Sequence, residues 1–122
     1  MSWEGATKES LSDFNEFRSK MNEEIQASDH LGMKRFFALD HQAYQDGALE
    51  GKTKELLGLV ASAVLRCDDC ITYHLVQCGE AGWKREEVID ALNVALIVGG
   101  SIVIPHLRRA FGRMREIHGL QG

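Results

Sequence analysis

The chain has 122 residues and a formal net charge of -4, from 18 acidic and 14 basic side chains. This length fits one domain over residues 1–122, and the absence of a basic tract argues against nucleic acid as a partner. The N-terminus carries no recognisable secretory signal, and the longest apolar run, residues 94–104, falls well short of the ~20 residues of a spanning helix. We therefore expect a cytoplasmic protein that binds neither nucleic acid nor membrane.

Helical spacing of apolar residues recurs along almost the whole chain, which contains a single proline and no convincing alternating run. This pattern predicts an all-α fold. The first helix is predicted over residues 9–27, with Ser10 or Ser12 as its N-cap. The second is predicted over about 31–46, with Gly47 ending it. Its predicted core-facing side chains are Met33, Phe36, Phe37 and Tyr44.

The four remaining predicted helices complete a bundle of about six. The third begins near Thr53 and is apolar on most sides, so we expect it at the centre of the packing. The fourth starts within the CDDC sequence and ends near Glu80. The fifth and sixth are predicted over about 84–98 and 101–118.

The sequence RCDDCITYH places a CxxC pair at the predicted start of the fourth helix. Helical steps of three and four put Cys67, Cys70 and His74 on one stripe, where they can act together. A helix N-terminus favours the thiolate, and CxxC thiols reach pKa values of ~3.5–7.5. Asp68 and Asp69 oppose that shift because they stabilise the protonated thiols.

Two alternatives to a working dithiol are a zinc site and a pair of inert core cysteines. The soft ligands for zinc would be Cys67, Cys70, His74 and Cys78. Eleven residues of straight helix rise about 16 Å, so Cys67 and Cys78 cannot share an ion whose ligands lie ~2.0–2.3 Å away. We expect neither a metal nor an organic cofactor, and we expect Cys78 to be a small buried hydrophobe.

An activated thiol needs a base, and the base needs a group that orients it. His74 is the obvious base, and the carboxylates that could orient it are Glu50 and Glu55. Helical periodicity alone makes Glu55 a solvent-facing acid of a first turn, because an inward carboxylate is costly unless it is paired. The residues by themselves leave this choice open.

The run KTKELLGLVASAVLRCDDCITYHLVQCGEAGWKREEVIDALNVA, residues 52–95, resembles the carboxymuconolactone decarboxylase-like superfamily and, within it, the AhpD-like alkylhydroperoxidase branch. The resemblance extends loosely over 34–111. Its most specific element is a glutamate, eleven residues, CxxC, three residues and a histidine, which here are Glu55, Cys67, Cys70 and His74.

The resemblance implies a single-repeat, all-helical protein that assembles as a homotrimer or homohexamer. It implies that Cys70 is the thiolate that attacks a peroxide, and that Cys67 is the more exposed cysteine, which resolves the sulfenic acid and exchanges with a protein or small-thiol reductant. His74 and Glu55 would form the proton relay. The chain departs from the best-studied relay at Asp69, where that relay has a histidine.

Three functions follow as hypotheses. The first is a thiol-dependent oxidoreductase acting on a hydroperoxide or a disulfide. The second is a decarboxylase or related lyase acting on a small cyclic carboxylic acid, with His74 or His106 as general acid/base and arginines holding the carboxylate. The third is a non-catalytic, redox-responsive subunit. The apolar run 94–104 predicts either a subunit interface or a fully buried central hairpin.

Overall fold

The computed structural model describes residues 9–122, and these residues form six α-helices and one short 3-10 helix, with no strand. The all-α prediction is therefore confirmed. The helices are α1 (Leu11–Ala27), α2 (Leu31–Ala43), α3 (Gly51–Val64), α4 (Asp68–Glu80), α5 (Arg85–Gly99) and α6 (Ile104–Met114), and the 3-10 helix is Ser101–Val103.

The core lies between α3, α4, α5 and α6. Helix α3 packs against both α4 and α5, and α4 also packs against α6, so the central position predicted for α3 is confirmed. Each leucine buried here contributes roughly 1.5–3 kcal/mol relative to exposure. The side chains with no exposed surface include Leu59, Leu75, Cys78, Val88, Val103, Met114 and Leu120.

Helix α2 lies at the periphery and ends earlier than predicted, at Ala43. Phe37 and Tyr44 are half-buried, as expected. The prediction that Met33 and Phe36 face the core is wrong, because 48% and 69% of these side chains are exposed. Among the described residues, helix α2 packs chiefly beside α1.

Helix α1 is attached to the C-terminal helix through charged contacts. The buried guanidinium of Arg113 donates to the carbonyl oxygen of Glu9 at 3.2 Å and to its carboxylate at 3.3 Å. The same guanidinium lies 5.3 Å from the ring centre of Phe14, the one buried residue of α1. The backbone N–H of Leu11 donates to Glu116 at 3.0 Å. These contacts fix the first turn of α1 against the end of α6.

The apolar run 94–104 is largely open to solvent in the single chain. Of its side chains, Ala95 and Val103 are fully buried, whereas Ile97 and Val98 are 76% and 68% exposed. The alternative of a fully buried hairpin is therefore wrong for this chain on its own. Between residues 9 and 122, no helix has both the length and the apolar character needed to cross a bilayer.

Candidate functional site

The CxxC pair lies at the N-terminus of α4, as predicted. The left-handed backbone of Arg66, with φ 61°, lets the chain turn out of α3 into the extended Cys67, which is the N-cap of α4. Cys67 and Cys70 are joined by a disulfide with their Cα atoms 5.3 Å apart. The Sγ of Cys67 also accepts the backbone N–H of Cys70 at 3.3 Å. The dithiol and the helix start are thus one local structure.

The two cysteines differ in exposure, in the opposite sense to the one the resemblance implies. Cys67 is half-buried and Cys70 is exposed in the single chain. The reason is the capping geometry, which turns the Cys67 sulfur back onto the first turn of α4. Cys70 instead opens into the cavity beneath α1.

His74 lies one turn after Cys70 and is buried, with 7% of its surface exposed. Its Nδ1 is 2.8 Å from Oε2 of Glu55, whose side chain is also largely buried. Glu50 is exposed at the N-cap of α3, so Glu55 is the carboxylate that orients the histidine. With Glu55 ionised, Nδ1 carries the ring proton and Nε2 is left as an acceptor.

Tyr44, the C-cap of α2, reaches the other nitrogen of this ring. Its hydroxyl lies 3.4 Å from Nε2 of His74. Burial, with the negative charges of Asp40 and Glu55, raises the pKa of Tyr44. The phenol therefore keeps its proton and can donate a hydrogen bond to Nε2.

Gly58 makes room for both partners. A Cβ at this position would lie 2.6 Å from Cε1 of His74 and 2.8 Å from the Tyr44 hydroxyl. Glycine inside a helix costs about 1 kcal/mol relative to alanine. Sequence reasoning did not identify Gly58 as a site residue, although a glycine three residues after Glu55 in an otherwise favourable helix was a usable signal.

A cavity of about 460 Å³ connects the dithiol and the histidine to α1. Helix α4 contributes Asp69, Cys70, Tyr73 and His74, and α1 contributes Phe14, Phe17, Arg18, Met21 and Asn22. The guanidinium of Arg18 lies 4.1 Å above the ring centre of Tyr73. The N-terminal helix therefore forms one wall of the site, a role that the sequence did not reveal.

Asp68 forms a second charged contact near the dithiol. Its two carboxylate oxygens lie 2.8 Å from Nδ1 of His106 and 3.1 Å from Nη1 of Arg109. This pairing offsets the negative charge that opposes a thiolate at the neighbouring Cys67. His106 is therefore a paired histidine of α6, and it is not among the residues lining the dithiol cavity. Within residues 9–122, no group of three or more His, Cys, Asp or Glu side chains is placed to hold a metal ion.

Cys78 is fully buried as a free thiol, as expected. Burial, reinforced by the charge of Glu55, raises the pKa of Cys78 to about 12. Because the thiolate is the nucleophile, we expect Cys78 of the folded protein to resist iodoacetamide between about pH 7 and pH 9. Mass spectrometry of alkylated peptides checks this, with the denatured protein as the control. Alkylation of native Cys78 as fast as in denaturant would contradict the expectation.

Comparison with known proteins identifies the family. The profile of the carboxymuconolactone decarboxylase family matches residues 31–112. The chain therefore belongs to the carboxymuconolactone decarboxylase family, in agreement with the resemblance noted from its motif. A curated relative from Paracoccus denitrificans, uncharacterized protein 4 in the cox locus, is 30% identical over 84 residues, which is 69% of this chain and 76% of the relative.

Solved structures resemble most of the fold. The crystal structure of TM1620 from Thermotoga maritima has a TM-score of 0.83 and 58% identity, and covers 85% of this chain and 91% of its own. That protein has a second crystal structure, in which it is named a carboxymuconolactone decarboxylase family protein with a suggested role in the antioxidative response. A family protein from Legionella pneumophila, lpg0406, has a TM-score of 0.75 and 25% identity, and covers 92% of this chain and 97% of its own.

Proposed function

We propose that the protein is a thiol-dependent oxidoreductase of the AhpD-like type, which reduces a hydroperoxide or exchanges with a disulfide. The observation that carries this proposal is the placement of the Cys67–Cys70 disulfide one helical turn from a buried His74, which is hydrogen-bonded to Glu55. Its Cys70 opens into a cavity large enough for a small organic molecule. A nucleophile, a base and a group orienting the base are the parts that activated thiol chemistry needs.

The cycle begins with reduction of the disulfide by an external thiol pair, which supplies two electrons and two protons. The proton of the Cys70 thiol then passes to His74, and Glu55 stabilises the resulting imidazolium. The thiolate attacks one peroxide oxygen, the O–O bond breaks, and the imidazolium returns its proton to the leaving alkoxide. The sulfenic acid on Cys70 condenses with the Cys67 thiol and releases water, which restores the disulfide. These steps need no metal or organic cofactor.

A count of alkylatable thiols by intact mass tests this function. The reduced protein is exposed to a near-stoichiometric organic hydroperoxide without denaturant. It is then unfolded in denaturant, alkylated and weighed, so that the buried Cys78 is counted as well. We expect rapid loss of two thiols, mapped to Cys67 and Cys70, while Cys78 stays free. If all three thiols are lost only at the rate of free cysteine, the protein is not a hydroperoxide reductase, and exchange with a disulfide substrate is the remaining form of the proposal.

Decarboxylation of a small cyclic carboxylic acid is the second candidate, and the family description favours it. The described cavity supports it less, because Arg18 is accompanied there by Asp40 and Asp69, which disfavour an anionic substrate. Activity on such an acid that survives complete alkylation of the thiols would favour the decarboxylase. Absence of any turnover, with a change in oligomer size on oxidation, would favour a redox-responsive subunit.

We also propose that the chain assembles as a homotrimer or homohexamer in the cytoplasm, where thiol reductants are abundant. The exposed side chains of the run 94–104 support an interface, since exposed apolar patches mark interaction sites. Light scattering at two protein concentrations checks this. We expect a mass three or six times that of the 13.6 kDa chain. A strict monomer at both concentrations would remove the assembly from the proposal.

A further inference from the structure

Both ring nitrogens of His74 are occupied in the disulfide form. Nδ1 is bonded to Glu55 at 2.8 Å, and Nε2 has the Tyr44 hydroxyl at 3.4 Å. The proton of the Cys70 thiol therefore has no unoccupied ring nitrogen to enter. Any proton transfer from Cys70 to this ring must involve the atom that Tyr44 contacts.

The environment of Tyr44 fixes the direction of its hydrogen bond. In the neutral ring, Nδ1 carries the hydrogen that is donated to Glu55, so Nε2 has a lone pair and the phenol is the donor. A distance of 3.4 Å lies beyond the usual range for a hydroxyl donor, so this bond is weak and easily exchanged. Once Nε2 has taken a proton, the same hydroxyl can turn and accept from the new N–H.

A second cavity adjoins the dithiol cavity. Its volume is about 560 Å³, and its walls include Tyr44 and Glu55. Arg18 and Tyr73 line both cavities. Cys70 and His74 line the first cavity, whereas the two partners of the His74 ring line the second. The thiol and the imidazole thus line one cavity, and the two partners of the ring line the neighbouring one.

We propose that Tyr44 is a positioning residue of the dithiol site, whose hydroxyl donates to Nε2 of neutral His74 and accepts from it once the ring has taken the Cys70 proton. This proposal rests on the proposed thiol chemistry. No atom is gained or lost in the step: the S–H bond of Cys70 breaks, an N–H bond forms on Nε2, and the phenol reverses its hydrogen bond. Gly58 is the position that permits the approach, since any Cβ there would contact the ring and the hydroxyl together.

The test compares Tyr44→Phe with the unaltered protein and with Tyr73→Phe. Tyr73 contacts the same imidazole through its ring edge, at 5.1 Å between centroids, so its change removes a nearby phenol hydroxyl without touching Nε2. The 15N resonances of the His74 ring, measured on the disulfide form, report which nitrogen carries hydrogen. We expect an Nε2 signal without attached hydrogen that moves in Tyr44→Phe and stays in place in Tyr73→Phe.

The kinetic arm follows the rate at which hydroperoxide oxidises the reduced dithiol. Loss of one weak hydrogen bond to the ring predicts a fall of about twofold to fivefold in Tyr44→Phe. Gly58→Ala is the second variant, and we expect it to move the same resonance and slow the same step. An unmoved Nε2 resonance in Tyr44→Phe would overturn the proposal. The proposal would also be overturned if the unaltered protein carried its ring hydrogen on Nε2. This measurement does not depend on the folding of any variant.

The two arms separate this inference from the function on which it rests. If the unaltered protein does not react with hydroperoxide but the resonance moves as expected, the hydroperoxide reaction fails and the Tyr44 contact stands as a structural bond. If hydroperoxide oxidises the dithiol and Tyr44→Phe changes neither the resonance nor the rate, the inference about Tyr44 fails alone.

Discussion

Cys70→Ser is expected to abolish turnover of organic hydroperoxide, with no activity above the background of the buffer. The physical reason is that a serine hydroxyl does not ionise near neutral pH, and nothing else in the dithiol cavity is a thiol. The measurement is consumption of hydroperoxide with an excess of small-thiol reductant. Wild-type rates in Cys70→Ser would show that the nucleophile is elsewhere.

Two matched variants define the roles of the remaining cysteines. Cys67→Ser keeps the attacking thiol and lacks the resolving one. In the absence of added small thiol, one equivalent of peroxide should therefore react and a sulfenic acid should accumulate without turnover. Cys78→Ala removes the buried thiol and should leave the rate within about twofold, because Cys78 has no access to the cavity and resists ionisation. If Cys67→Ser failed to react with peroxide while Cys70→Ser accumulated a sulfenic acid, the assigned roles of the two cysteines would be reversed.

Glu55→Gln is expected to slow oxidation of the dithiol by about tenfold to a hundredfold, the value of one hydrogen bond to a charged group. The amide can still accept from Nδ1 of His74, but it no longer stabilises the positive charge that forms when the ring takes a proton. Stopped-flow measurement of dithiol oxidation checks this, since it isolates the chemical step from reduction by the external thiol.

Glu50→Gln is the control, because it makes the same chemical change five residues earlier in the chain. Glu50 is exposed and makes no capping bond with its side chain, so its rate and thermal midpoint should match those of the unaltered protein. An equal fall in rate in both variants would mean that the overall negative charge of the protein, and not the contact of Glu55 with His74, sets the rate. Thermal unfolding of Glu55→Gln shows whether the variant is folded in the assay.

The buried side chains of a helix were predictable where the apolar face of that helix packs against the core. For α5, helical periodicity predicts a buried stripe of five residues, Val88, Ala91, Leu92, Ala95 and Leu96. Three of these, Val88, Leu92 and Ala95, are buried, and Ala91 and Leu96 are half-buried. It misplaced Met33 and Phe36 of α2, because periodicity detects an apolar face without detecting whether a neighbour covers it. The predicted sixth helix begins as a 3-10 turn, since Gly100 adopts φ 83° and Pro105 follows within the first turn of α6.

The candidate site was predictable in its local part only. The spacing of Cys67, Cys70 and His74 lies within one helix, and the motif added Glu55. The contacts of Tyr44 with His74 and of Arg109 with Asp68 join positions 30 and 41 residues apart. Such contacts depend on how separate helices pack, and no pattern in a single sequence encodes that packing directly.

The anchoring of α1 has a consequence for how a substrate reaches the dithiol. This helix supplies the apolar wall of the cavity, yet only Phe14 of its residues is buried, and its charged anchors hold the end nearest α6. Local opening of an element with so few buried contacts costs far less free energy than global unfolding. An opening of α1 would therefore widen the entrance to the dithiol, while α3 and α4, which hold Glu55, Cys70 and His74, would keep these groups in place.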